Sequence, residues 1–353
     1  MKVARDTMTD TTFLGTRLPL IQAPMAGSQD ARLAIAVGQA GALGSLPAAM
    51  LDAASLEREL RLLQAAGRPY NVNFFVHTPP APDAAREARW MQALTPYYRE
   101  FGLDPAQTPP GASRQPFSHA AAEVLEAFRP AVVSFHFGLP APDLLARVKR
   151  MGSRVLSSAT TVREALWLQA QGADAVIAQG LEAGGHRGHF LDKDVALQAG
   201  TASLLPKIVA ALDIPVIAAG GIADAQGVRD AIGLGASAVQ VGTSFLLCEE
   251  ARTSAVHRAA LKDLQAPTAL TNLFSGGLAR GIVNRVMREQ GPVSQAASPF
   301  PLATGAIGPL RAHAEATGAG DFSPLWSGTN RSGCRAAPAA EVVRALARGF
   351  DSI

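Results

Sequence analysis

The sequence predicts an α/β fold: a (β/α)8 TIM barrel carrying a smaller, mostly helical second domain. Three observations predict it. Strand-like and helix-like segments alternate from residue 19 to about residue 260. Eight of the segments are short apolar runs. The same junction, a helix ending on glycine directly before an apolar strand, recurs along the chain.

The predicted strands are Pro19–Met25, Ala42–Leu46, Tyr70–Val76, Ala131–Phe137, Arg154–Ser158, Ala175–Gln179, Pro215–Ala219 and Ala238–Gly242. Most are apolar at nearly every position, which suits parallel strands covered on both faces. Between them, Leu56, Leu60 and Leu63 recur at i, i+4, i+7, and Val228, Ala231 and Ile232 at i, i+3, i+4, the spacing of a buried helix face. Asp224 stands where the second of these helices needs an N-cap. The segments Gln39-Ala-Gly-Ala42, Gln171-Gly-Ala-Asp-Ala-Val176 and Leu234-Gly-Ala-Ser-Ala-Val239 each place glycine at a helix end, where a left-handed cap carries no Cβ strain. Eight such units in roughly 240 residues match a barrel, with a doubly wound open sheet as the competing architecture.

Two regions depart from the repeat. Residues 78–118 are rich in proline (Pro79, Pro80, Pro82, Pro105, Pro109, Pro110, Pro116) around a helical stretch, Asp83 to Phe101, and read as an insertion after the third strand. Residues 262–353 follow the eighth unit and end in a helical segment, Pro338–Phe350. The expected division is therefore a barrel over 1–261, with the insertion, and a C-terminal extension over 262–353 forming a helical lid or substrate domain.

Composition narrows the function. The 353 residues are 48% hydrophobic and 17% charged, which excludes a wholly disordered chain. The longest apolar stretch, Ile208 to Gly221, is broken by Asp213 and Pro215, so no membrane span is expected, and Met1–Asp10 lacks the apolar core of a signal peptide. Cys248 and Cys334 are too few for a disulfide framework and read as reduced thiols of a cytoplasmic protein. The net charge of +3 comes from 27 Arg and 5 Lys against 29 acidic residues, spread without a basic block. With 6% aromatics, nucleic-acid binding is not expected.

Barrels of this kind work at the C-terminal ends of their strands. There the chain places Pro24 to Gly27, Asn71 and Asn73, Ser134 and His136, Ser157 and Ser158, Gln179, Gly220-Gly221 and Gln240-Val-Gly-Thr243. Gly220-Gly221 after strand seven and Gly242-Thr243 after strand eight either cradle a phosphate through backbone N–H groups or only turn tightly. Gly184-Gly-His-Arg-Gly188 puts His186 in a mobile loop, as a general base or as a surface histidine with a loop hydrogen bond. His136 sits in an apolar strand, as a satisfied core histidine or a pocket residue. The sixth strand ends on Gln179 rather than a Schiff-base lysine. His186 and His189 lack a carboxylate cluster for a metal. Residues 180–200 hold no cysteine nucleophile, and Cys248 is expected on the helix after strand eight. What remains suits a bound organic cofactor that supplies the chemistry.

Gln22-Ala-Pro-Met25, Asn71-Val-Asn73, Glu182-Ala-Gly-Gly-His-Arg-Gly188, Ala218-Ala-Gly-Gly-Ile222 and Gln240-Val-Gly-Thr243 together resemble the nitronate monooxygenase (2-nitropropane dioxygenase) family, its class I branch. The likeness continues through Ser134–Gly138, Ser158-Ala-Thr160, Ser275-Gly-Gly277 and Leu325-Trp-Ser-Gly328. The resemblance implies an FMN-dependent barrel that oxidises alkyl nitronates, such as propionate 3-nitronate, with O2 to a carbonyl compound and nitrite or nitrate. It implies that Ala23, Pro24 and Met25 lie along the flavin ring, and that Asn73 and Gln179 bond the ring or ribityl chain. Gly184, Gly185, Gly220, Gly221, Gln240, Val241, Gly242 and Thr243 would hold the ribityl phosphate region. His186 would be the catalytic base for neutral nitroalkanes, and His136, Ser298, Leu302 and Trp326 would border substrate. Two departures fall where substrate would sit. Ser298–Ala306 lacks the tyrosines and lysine common in the family, and Thr329 replaces a usual glutamine. The alternatives are an FMN-dependent, NAD(P)H-using reductase of the enoyl-acyl-carrier-protein reductase type and a flavin-binding protein without turnover.

Overall fold

Each of the eight expected runs forms a strand in the computed structural model, which describes residues 13–108 and 114–351. Met1–Asp10, Pro109 and Pro110 lie outside the described residues. The first units are β1 (Leu20–Gln22), α1 (Ala31–Gln39), β2 (Gly44–Pro47), α2 (Ala53–Ala65) and β3 (Tyr70–Phe75). The insertion contributes α3 (Ala84–Glu100), and α4 (His119–Phe128) leads back to β4 (Val132–His136). The series continues with α5 (Pro142–Arg150), β5 (Arg154–Ala159), α6 (Val162–Ala170) and β6 (Ala175–Gln179). After a two-residue strand β7 (Gly185–His186) come α7 (Thr201–Ala211), β8 (Val216–Ala219), α8 (Ala225–Gly233), β9 (Ala238–Val241) and α9 (Ala255–Lys262). The extension holds β10 (Thr268–Thr271), β11 (Ala279–Ile282), α10 (Arg285–Glu289), α11 (Ala303–Ala316) and α12 (Ala339–Ala347).

The parallel strands lie in the order β1-β9-β8-β6-β5-β4-β3-β2. A bridge between Ile21 and Leu43 closes the ring: Gln22 N donates to Leu43 O at 2.9 Å and Leu43 N to Leu20 O at 2.8 Å. Closure makes this a barrel and not an open sheet. The three repeated junctions behave as their glycines require, with φ of +95°, +93° and +94° at Gly41, Gly172 and Gly235. The Asp224 side chain accepts from Gly227 N at 2.9 Å and caps α8.

Alternation along the strands sorts their residues. Val72, Phe74, Val133, Phe135, Val176 and Ala178 point outward and pack under the helices. Ile21, Val132, Leu156, Ile177 and Ile217 point inward and, with Leu14, plug the lower barrel. Each large apolar side chain so buried contributes about 1.5–3 kcal/mol. Above the plug the inward positions turn polar: Ser45, Asn71, Asn73, Ser134, Ser158, Gln179 and Gln240. Asn71 Nδ2 donates to Ser45 Oγ at 3.0 Å and Ser134 Oγ at 2.9 Å, and Asn73 Nδ2 donates to Ser134 Oγ at 2.9 Å.

A separate apolar cluster joins two distant segments. Trp90, Leu94 and Tyr98 of α3 pack with Leu273, Phe274, Ile307 and Leu310 of the extension. Trp90 Nε1 donates to Ala303 O at 3.2 Å, and the Tyr98 hydroxyl to Ala306 O at 2.6 Å. The last helix returns to the barrel, where Val342, Val343 and Leu346 share a core with Leu33, Val37 and Val228.

Two expectations are corrected. His186 is not in a mobile loop: β7 pairs antiparallel with β11, which also pairs with β10, in a three-stranded sheet. A two-residue strand carries no periodicity, so only its partner, remote in sequence, reveals it. Cys248 is not on a helix, because α9 begins only at Ala255. Arg258 donates to the carbonyls of Leu247, Cys248 and Ala251 at 2.9, 2.7 and 2.9 Å and holds that segment in a turn. No helix among the described residues is long and apolar enough to cross a membrane.

Candidate active site

The inward strand ends open into one cavity of about 1370 Å³, its mouth included. Every residue named above as a candidate for holding a flavin lines it, as do His186, His136 and Trp326. Ser298 and Leu302 do not line it. Ser298 is 2% exposed and its carbonyl crowds Gly276, while Leu302 N donates to Pro299 O at 2.7 Å in the turn that begins α11. From the same segment it is Phe300 that reaches His186, with ring centres 5.2 Å apart.

The loop after β1 is shaped by two buried glutamines. Gln22 Nε2 donates to Gln29 Oε1 at 2.7 Å and Gln22 Oε1 accepts from Ser45 N at 3.0 Å. Met25 N donates to the same Gln29 oxygen at 2.9 Å, which fixes Ala23–Met25 along the wall. Two strands away around the ring, after β8, Gly220 and Gly221 adopt φ of +120° and +75°. A Cβ on Gly220 would come within 2.9 Å of Thr201 Oγ1, so backbone alone fits there. Gly242 has room for a Cβ only at 3.3 Å from Ala23 Cβ. The extension straps these loops: Gly328 N donates to Thr243 Oγ1 at 2.9 Å, Thr329 N to Glu182 O at 3.0 Å, and Asn330 Nδ2 to Gly221 O at 3.0 Å.

β7 is held from beneath. Gln179 spends both ends of its amide on it: Nε2 donates to His186 O at 2.9 Å and Oε1 accepts from Gly188 N at 2.8 Å. His136 Nε2 lies 3.1 Å from His186 O, and a carbonyl only accepts, so Nε2 carries the proton and Nδ1 accepts from Ser158 Oγ at 3.1 Å. Burial pushes the His136 pKa down to about 4, which keeps that tautomer neutral. Arg187 is fully buried and donates to Gln198 Oε1, Gly180 O and Gln179 O at 2.8, 2.7 and 2.8 Å. Burial, then the charge of Arg280, lowers its pKa to about 10, so it remains a cation. The Glu182 carboxylate accepts from Thr201 N and Oγ1 at 2.8 and 2.9 Å and caps α7.

The His186 ring is thereby turned into the cavity. Its Nε2 sits 2.8 Å from Ser275 Oγ, and its ring lies against Phe75, Phe300 and Trp326. Burial, then the positive charge of Arg114, holds its pKa well below 6.5. His186 is therefore an unprotonated imidazole at neutral pH. One acceptor on the wall has no partner among the described residues: Gln240 Oε1 is buried and unbonded. An orphaned acceptor beside glycine-only turns is a site shaped for a ligand with its own N–H or O–H donors.

A family profile described as nitronate monooxygenase matches residues 7–349. The chain belongs to the nitronate monooxygenase family. Membership makes it an enzyme, an oxidoreductase. A nitronate monooxygenase of Pseudomonas aeruginosa is 43% identical over 351 residues, covering 96% of this chain and 98% of that relative. One from Paraburkholderia phytofirmans is 39% identical, covering 95% and 93%. A solved nitroalkane oxidase of Streptomyces ansochromogenes superposes with a TM-score of 0.88 at 37% identity over 98% of each chain. FabK from Thermotoga maritima, with a TM-score of 0.70 at 23% identity over 97% of this chain and 95% of that one, shares the fold.

Within this family member, sequence reasoning missed Arg114, Phe75 and Phe300. Arg114 lines the cavity from the proline-rich insertion. Its one sequence cue, a cation in the segment leading back to the barrel, does not reveal burial, because that segment has no period. Phe75 was available, as the inward residue two positions after Asn73.

Proposed function

We propose that this protein is an FMN-dependent enzyme that oxidises alkyl nitronates, such as propionate 3-nitronate, with O2 to a carbonyl compound plus nitrite or nitrate. One observation carries the reading: an unprotonated, serine-tethered His186 on the wall that also bears every flavin-site candidate. FMN suits the residues present. Gln240 Oε1 offers an acceptor to its N–H or O–H groups, and Gly220, Gly221 and Gly242 offer bare backbone to its phosphate. Gln179, already engaged with β7 at both ends, serves chiefly to hold His186. When bound, FMN supplies electron transfer from the nitronate and onward to O2.

The chain itself handles the proton. With the Ser275 hydroxyl directed at Gly277 O, 3.4 Å away, His186 Nε2–H donates to Ser275 Oγ and Nδ1 keeps its lone pair. Nδ1 takes the α-proton of a neutral nitroalkane. The C–H pair moves into the C=N bond of the nitronate, and the ring becomes imidazolium. A preformed nitronate skips this step. The part of the extension ahead of α12, with the insertion, forms the cover that excludes water from the reacting anion.

Purified protein is expected to be yellow, to release FMN and not FAD, and to consume O2 with propionate 3-nitronate. A colourless protein that takes up no FMN contradicts the proposal. So does one whose flavin is bleached by NADH or NADPH but which leaves nitronates untouched.

A further inference from the structure

We propose that Arg114 is the residue that recognises substrate charge, its guanidinium taking a planar two-oxygen anion of the substrate. A nitronate group and a carboxylate share that shape, so either group of a substrate could be the one held. The inference rests on the proposed reaction with nitronates.

Among the described residues lining the cavity, Arg114 is the only Arg or Lys. It is fixed from the roof: Nη1 donates to Thr304 Oγ1 at 3.2 Å, Thr304 Oγ1 donates to Phe274 O at 3.1 Å, and the guanidinium lies 5.8 Å from the Phe300 ring centre. No carboxylate among the described residues forms an ion pair with it. Glu182, the acid on the wall, is spent on capping α7. The neighbouring charge is of the same sign: Arg311 bears on Arg114, and Arg311 already pairs with Glu315 at 2.8 Å. A partly buried cation without a counter-ion is costly unless a ligand supplies one. The guanidinium fork matches a two-oxygen anion with two parallel hydrogen bonds, which a lysine cannot reproduce. Its position beside Phe300, which also packs on His186, sets the anion within reach of the base.

The test compares wild type, Arg114→Gln and Arg114→Lys, each with flavin content measured, on ethyl nitronate and propionate 3-nitronate. Arg114→Gln is expected to raise KM roughly 10- to 100-fold with a smaller change in kcat and unchanged flavin, and Arg114→Lys to recover part of the loss. An equal rise on both substrates means the fork reads the nitronate. A rise confined to propionate 3-nitronate means it reads the carboxylate. Unchanged KM on both overturns the proposal, as does loss of flavin, which would assign the cation to the cofactor. Thermal shifts with propionate keep the two proposals separable. If wild type oxidises neither nitronate, the reaction proposal fails. Stabilisation by propionate in wild type but not in Arg114→Gln then still supports anion binding, and equal or absent stabilisation overturns it.

Discussion

The floor of the cavity and its roof are built by opposite routes. The floor comes from one repeated unit used eight times, so its residues sit at equivalent positions, the inward-facing ends of parallel strands. Most of its polar groups are paired, Asn71 and Asn73 through Nδ2 to Ser134, Gln22 to Gln29 and Gln179 to β7, while Gln240 Oε1 is left as an open acceptor. The roof comes from two segments far apart in sequence, α3 with its proline-rich flanks and the extension, locked by a core of their own. It presents aromatic rings and one cation, and leaves that cation unpaired among the described residues. The difference teaches a division of labour. A mostly paired polar floor with one open acceptor suits a constant group, and a separately built roof suits a variable one.

The largest effect that could break this division is on the floor. Gly242→Asp is expected to abolish flavin binding while the fold survives. Its Cβ is tolerated at 3.3 Å from Ala23, but its carboxylate would face the phosphate in a poorly screened site. Flavin content and circular dichroism read the two halves of that statement, and a variant that retains flavin would move the phosphate elsewhere. Next comes the roof. Trp90→Ala empties a fully buried position and gives up the bond to Ala303, costing about 3–5 kcal/mol in denaturant unfolding. Flavin should stay bound to the folded protein while KM for nitronates rises. Flavin loss in step with the roof would show that the two regions are one unit.

The floor was legible because its signals are local. Glycine at Gly41, Gly172 and Gly235 marks each helix-to-strand junction, and alternation then points Asn73, Gln179 and Gln240 inward. The roof was not, since nothing near Trp90 in sequence announces Ala303 as its partner, and nothing near His186 announces Ala279 or Ser275. Arg114 sits in a stretch without period, where burial cannot be read from spacing. The motif Ser275-Gly-Gly277 was visible only through resemblance. Its physical use, a hydroxyl 2.8 Å from His186, needed the pairing of β7 with β11.

Smaller effects sharpen the boundary between the two regions. Ser275→Ala removes the roof's hold on the floor's imidazole. It should lower kcat/KM for a neutral nitroalkane by roughly tenfold or less, the worth of one hydrogen bond, and leave preformed nitronates nearly unchanged. An equal loss on both would make Ser275 a substrate contact instead. The smallest expected change is with pH. Because the His186 pKa is held well below 6.5, kcat/KM for a neutral nitroalkane should be flat through neutral pH. It should fall only on acidification well below 6.5, as the base becomes protonated. A limb centred at or above 6.5 would mean that the base is a different group or that His186 is not desolvated.

The most direct test supplies one compound in two forms, as neutral nitroalkane and as preformed nitronate, to wild type and to His186→Asn. Asparagine keeps a hydrogen-bonding side chain at that position but takes up no proton at neutral pH. The account predicts that kcat/KM for the neutral form falls by roughly 10²–10⁴ while the nitronate loses far less, read as paired free-energy losses. Equal losses on both forms would contradict it, and would leave His186 a positional or electrostatic role in place of the base.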